Sequence, residues 1–177
     1  MSVESLRKEF YKILEQYGHE ILLVRQKRKV RCSCFDEKTQ SADRECPFCF
    51  GLGWVPIIEK HTIREQESVI PETLPMIAQQ KGFGEMAVGA RAYYFLPDVE
   101  LEESDLVMDV GWYKDIPIMK EGKIWEVSYV DVFRFEDGEA IFKKVYVKSE
   151  PVEMEVRGFN ILKKEGVISY EIRGGAE

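Results

Sequence analysis

The chain's most chemically distinctive residues are its four cysteines, all of which fall between positions 32 and 49. They read Cys32-Ser33-Cys34, then eleven residues, then Cys46-Pro47-Phe48-Cys49. Two close pairs separated by a polar loop match a site of four thiolates around one tetrahedral ion, and a divalent d¹⁰ ion adds little geometric demand of its own. The two-residue spacing of Cys46 and Cys49 lets both sulfurs and nearby N–H groups converge on a metal. Gly51 and Gly53 follow where the chain must turn tightly. On a regular strand Cys32 and Cys34 would share a face and present two thiolates together. The expected ligand is Zn2+ in a structural role, because four protein sulfurs leave no open position at which to activate water. An iron–sulfur cluster uses the same ligand type and stays open as an alternative. Disulfides are disfavoured: the start Met1-Ser2-Val3-Glu4 carries acid early and no apolar signal core, so export is not expected. His19 and His61 stand as reserve ligands.

No other group of residues suggests catalysis, and no enzyme is expected. The two histidines belong to no triad or metalloprotease pattern. Gly82-Phe83-Gly84 lacks the Gly-Lys-Ser/Thr that a phosphate loop requires. The acids are numerous, but nothing singles one out for a raised pKa.

Charge is unevenly distributed. The net charge is −7; residues 1–60 hold 11 bases and 9 acids, and residues 61–177 hold 14 bases and 23 acids. Such a balance disfavours tight duplex binding, which depends on neutralising phosphates. Lys27, Arg28, Lys29 and Arg31 form the one positive run, suited to DNA or to the acidic face of a neighbouring subunit. Residues 98–115 hold Asp98, Glu100, Glu102, Glu103, Asp105, Asp109 and Asp115 against Lys114 alone. Read as one loop, it offers Glu100, Glu102, Glu103 and Asp105 as channel-facing acids, or else a solvated surface with no partner.

These residues need elements to position them. Leu6, Phe10, Ile13, Leu14 and Tyr17 recur at helical spacing and predict a helix over 3–17, with Gly18 as a left-handed C-cap. A strand within 19–31 and a returning strand over 54–63 would form a long hairpin with the cysteines at its tip. Pro56 would suit an edge strand there. Thr73 to Lys81 predicts a short helix. Strands are expected at 86–96, 105–110, 123–135, 139–148, 152–158 and 167–173, with turns at Asp137-Gly138 and Lys164-Glu165-Gly166. The strand aromatics Tyr93, Tyr94, Phe95, Trp125, Tyr129, Phe133 and Phe135 are expected mostly in the core, and Trp54, Phe48 and Phe50 around the metal. The fold class is α+β, mainly β: an N-terminal helix, a zinc-tipped β-hairpin and an antiparallel barrel or sandwich. The expected division is 1–66 for helix plus hairpin and 67–177 for the barrel-like domain. Apolar runs such as Ile21 to Val24 are far shorter than the roughly 18 residues of a spanning helix, so no membrane association is expected.

Two resemblances attach to these residues. Cys46-Pro47-Phe48-Cys49-Phe50-Gly51-Leu52-Gly53 resembles one cysteine-glycine repeat of the DnaJ-type chaperone zinc region. That family has four such repeats and a J-domain His-Pro-Asp; this chain has one repeat and no His-Pro-Asp. More of the chain is similar to head–tail joining proteins from the neck of tailed bacteriophages. These look like an N-terminal helix, a cysteine hook containing Cys-Pro-X-Cys-X-Gly-X-Gly, and a small β-barrel. Asp105-Leu106-Val107-Met108-Asp109 followed by Gly122-Lys123-Ile124-Trp125-Glu126-Val127 is similar to their acidic-strand and aromatic-strand pattern, while the strands expected after it are additional. The resemblance implies a virion neck protein assembled in the host cytoplasm as a homo-oligomeric ring of 6 or 12 copies. It would contact portal, adaptor or tail-terminator proteins, with DNA passing through unread. The residues alone also allow a zinc-ribbon module that binds nucleic acid or a transcription partner through Lys27 to Arg31.

Overall fold

A computed structural model describes residues 2–25, 30–43, 46, 49, 53–66, 91–135, 138–148, 150–152, 158–164 and 167–173. Among these residues there are one helix, α1 (Val3–Tyr17), and eight strands: β1 (His19–Arg25), β2 (Ile57–Gln66), β3 (Ala92–Phe95), β4 (Leu106–Tyr113), β5 (Ile116–Arg134), β6 (Ala140–Val147), β7 (Gly158–Lys164) and β8 (Val167–Arg173). β1 to β6 close into an antiparallel barrel in the order β1-β2-β3-β6-β5-β4, and β7 with β8 makes a separate two-stranded sheet. The fold is thus α+β and mainly β. Two of the six barrel strands, β1 and β2, precede residue 67, so the barrel draws on both sides of the expected 66/67 division.

By its contacts the chain forms two compact units. One comprises Met1–Ile21, His61–Ser104 and Trp125–Pro151; the other comprises Leu22–Lys60, Asp105–Ile124 and Val152–Glu177.

In the first unit, Ser2 caps α1 by accepting the Ser5 N–H on its Oγ at 3.3 Å, satisfying one of the orphan donors at the helix start. The helix buries Val3, Phe10 and Leu14, while Tyr17, expected on the apolar face, is exposed. Phe10 stacks on Phe142 of β6 at 5.2 Å. Arg7 donates to the Ala140 carbonyl from Nε (2.9 Å) and Nη2 (2.7 Å). Gly18 is extended rather than left-handed, with φ −81 and ψ 158. Glycine is needed there for space, because a Cβ would lie 2.9 Å from Thr62 Cγ2 and 2.3 Å from the Leu14 carbonyl oxygen. β5 and β6 form the expected hairpin, with Gly138 at φ +77 and the Phe135 N–H donating to the Glu139 carbonyl at 3.0 Å. Tyr93, Phe95 and Trp125 are core residues, but Phe133 is 51% exposed. It lies flat on Phe142 at 4.8 Å instead.

In the second unit, β1 pairs with β4 through Leu22↔Met108, Leu23↔Val107 and Val24↔Leu106. Leu22, Val24, Leu106, Met108 and Val110 share a core cluster with Ile58, Ile124 and Tyr170. Leu23 and Val107, on the alternate positions, are also fully buried; burial on both faces is why β1 reads as an unbroken apolar run.

Several boundaries differ from expectation. β4 runs past the expected end at 110 to Tyr113, and β5 begins at Ile116; Asp109 lies within the strand expected over 105–110, so the acids of 98–115 do not share one loop. Pro56 stands just before β2, so its missing N–H removes nothing from the ladder. β7 has no counterpart in the sequence reading. The expected strand 152–158 falls largely outside the described residues, as do the Thr73–Lys81 helix, Gly82 to Gly84, and the turn residues Glu165 and Gly166.

Candidate metal centre

The cysteine hook leaves the barrel after β1 and returns into β2. Its base is held by a bridge between Arg31 and Trp54 and by the Val55 N–H donating to the Val30 carbonyl at 2.9 Å. Beyond that rung the Cys32 N–H donates to the Gly53 carbonyl at 3.0 Å, and the Phe35 N–H turns back to the Cys32 carbonyl at 3.0 Å. Cys32 and Cys34 therefore sit on a turn, not on a regular strand as expected. The hook's tip is closed by a bridge between Asp36 and Ser41, with Asp36 Oδ1 accepting the Lys38 N–H at 2.8 Å. The chain then returns to the cluster, where the Cys46 N–H donates to the Asp43 carbonyl at 3.1 Å.

These turns bring all four cysteines together. Their sulfurs lie within 4.8 Å of one another, with Cys32 to Cys46 at 3.7 Å and Cys34 to Cys49 at 3.3 Å. All four are free thiols, and Cys32, Cys46 and Cys49 are buried. The donor set fits one ion: four sulfurs at about 2.3 Å from a tetrahedral centre stand about 3.8 Å apart. Electrostatics agrees with the geometry. Burial pushes the Cys34 and Cys49 thiols up. Burial also opposes ionisation of Cys32, but hydrogen bonds from the Cys34 backbone and from the neighbouring thiols outweigh it and bring that thiol down. A second or third negative charge so close to the first requires a cation among them.

Gly53 makes the turn possible. Its φ is +76, and a Cβ there would lie 2.7 Å from Phe35 Cδ2, so the position excludes a side chain on both counts. The Phe35 ring packed against it carries Arg31, whose Cζ is 3.9 Å from the Phe35 centroid and 4.0 Å from the Trp54 centroid. Phe35 was not singled out in the sequence; the signal was an aromatic directly after a cysteine, matched by one directly after Gly53.

The other expected site residues divide. Lys27, Arg28, Lys29, Phe48 and Phe50 lie outside the described residues. Asp98, Glu100, Glu102 and Glu103 are exposed. Asp105 is 4% exposed, which corrects its expected place among solvent-facing acids. Continued one residue past its last pair, Val24↔Leu106, the β1–β4 register brings Asp105 level with Arg25, a buried guanidinium that pairs with Glu59 at 3.1 Å. His61 lies edge-on to Phe95, and His19 lies 3.8 Å from Glu65; neither belongs to the sulfur cluster.

The chain matches no protein-family model and no curated protein. Among the described residues, no helix is long and apolar enough to cross a membrane.

Proposed function

We propose that this chain is a structural, non-enzymatic protein of the head–tail junction of a tailed bacteriophage, an adaptor or stopper that assembles as a ring of 6 or 12 copies. One observation carries the reading: a four-sulfur hook inserted between adjacent strands of a small closed barrel that also bears an N-terminal helix. That combination is what the resemblance to neck proteins implies. The ion is zinc. A multi-iron cluster would have to fit its own iron and sulfide core between the thiolates, whereas sulfurs this close suit a single ion. Zinc bound by four thiolates supplies rigidity, holding a hook too short to build a core of its own. The net charge of −7 supports passage of a duplex that is not gripped.

Elemental analysis should give one zinc per chain, and native mass measurement should give the ring. Immunogold labelling of tailed particles should mark the junction of head and tail. Particles free of label, or a chain that stays monomeric alone and with portal protein, would overturn the neck assignment. A salt-titrated DNA-binding assay separates it from the zinc-ribbon reading, which requires tight, strongly salt-dependent affinity in the isolated chain.

A further inference from the structure

We infer that Cys34 is a site of peroxide oxidation, and that the disulfide it forms with Cys49 replaces the ion as the clasp of the hook. The inference rests on the metal reading above and adds a second, metal-free closed form of the same four sulfurs.

Access singles out Cys34. Cys32, Cys46 and Cys49 are buried, with 5%, 5% and 0% of their surface exposed, whereas Cys34 is half-buried. A small neutral oxidant therefore meets one sulfur first, and the reaction of cysteine with peroxide follows exposure and thiolate character. Metal ligation supplies the second condition, because the ligand form of cysteine is the nucleophilic thiolate.

Geometry singles out the partner. Cys34 Sγ lies 3.3 Å from Cys49 Sγ, and Cys32 Sγ lies 3.7 Å from Cys46 Sγ. Both pairs cross the hook, from the arm that leaves β1 to the arm that returns into β2. Spacing along the chain favours a different pair, Cys46 with Cys49, but both of those sulfurs are buried. A cross-arm disulfide also does what the ion does. It ties the two arms together and withholds the chain entropy that opening would release. A Cys46–Cys49 disulfide would lie within one arm and leave the other free to part from it.

The oxidant is hydrogen peroxide, and the steps balance. The Cys34 thiolate attacks one peroxide oxygen; an S–O bond forms, the O–O bond breaks, and hydroxide leaves a sulfenic acid. The Cys49 thiolate then attacks Cys34 Sγ; the S–S bond forms, the S–O bond breaks, and a second hydroxide leaves. Each sulfur has lost one electron and each peroxide oxygen has gained one, and two solvent protons convert the hydroxides to water. Two thiolates remain, too few for a four-sulfur site, so the metal departs while the hook stays closed.

The test uses the full-length, zinc-loaded wild-type chain, so it depends on no variant. One equivalent of hydrogen peroxide should release one zinc per chain to a chromogenic chelator. Fragmentation mass spectrometry after alkylation should find Cys34 joined to Cys49, with Cys32 and Cys46 alkylated; a second equivalent should join that pair too. The amides of Cys32 and Phe35 should stay protected from hydrogen exchange in the oxidised, zinc-free chain, and reduction should restore zinc binding. A first disulfide between Cys46 and Cys49 or between Cys32 and Cys34, overoxidation of Cys34 without a disulfide, or zinc retained throughout would overturn the inference. So would amides that exchange as freely as in the chelated, reduced chain. A chain that carries no zinc when purified under reducing conditions would instead remove the metal reading, a failure seen before peroxide is added.

Discussion

Four thiols within one coordination sphere form a poor arrangement for a metal-free protein and a good one for a metal-bound protein, and this sets the pH behaviour. Cys34 and Cys49 are held above the ordinary thiol value of 9.0, so in the metal-free fold they favour the protonated form. Their contribution to stability is present below that value and lost as pH rises through the raised values. Metal-free protein should therefore lose stability as pH rises above 9.0 toward about 12, as measured by denaturant midpoint. Metal competes with protons for the same sulfurs, so metal affinity should instead rise with pH; a competition titration with a chromogenic chelator that found no pH dependence would contradict the site. Gly53 makes a second test. Gly53→Ala forces a Cβ against the Phe35 ring at a positive φ, and should weaken metal binding by about tenfold through 1–3 kcal/mol of strain; unchanged affinity would mean the turn relaxes freely. The cysteines were legible because residue type and spacing alone limit what four thiols can do. Asp105 and Arg31 were not, because a sequence shows a charge but not the buried Arg25 level with one or the two rings beneath the other.

Elements follow the same logic of local signal against remote partner. The helix was readable from its apolar spacing, and the β5–β6 hairpin from Asp137-Gly138, since both are decided within a few residues. The length of β5 was not: Ile116 and Ile118 are exposed, and their part of the strand lies beside β4, its neighbour in the barrel. The burial of Tyr93 against the exposure of Phe133 is likewise decided by which face the register turns inward. The helix is anchored chiefly by Phe10 on Phe142. Phe10→Ala should destabilise the protein by about 3 kcal/mol, the low end for a buried phenylalanine because the stack continues to a half-exposed ring. A loss below about 1 kcal/mol in equilibrium unfolding would show that the helix adds little to the fold.

At the scale of the molecule, metal and barrel are separable sources of order. The barrel's ladders run through fully buried residues such as Leu22, Leu23 and Val107, whereas the buried hydrophobic cluster of the hook consists of its own cysteines. Chelation should thus expose the amides of Cys32, Phe35 and Cys46 to hydrogen exchange while those of Leu23 and Val107 keep their protection. Simultaneous loss at both sets would mean that the ion holds the barrel as well.

The rung joining Val30 to Val55 has a consequence for how such a molecule can be altered. Whatever lies beyond it begins and ends at one point of the chain's path, so its length does not enter the barrel's geometry, and lengthening a closed loop costs little. The finger is in that sense a cassette: replaced by a short turn it should leave a folded barrel that has lost its metal, and grafted onto another hairpin it should carry its metal along.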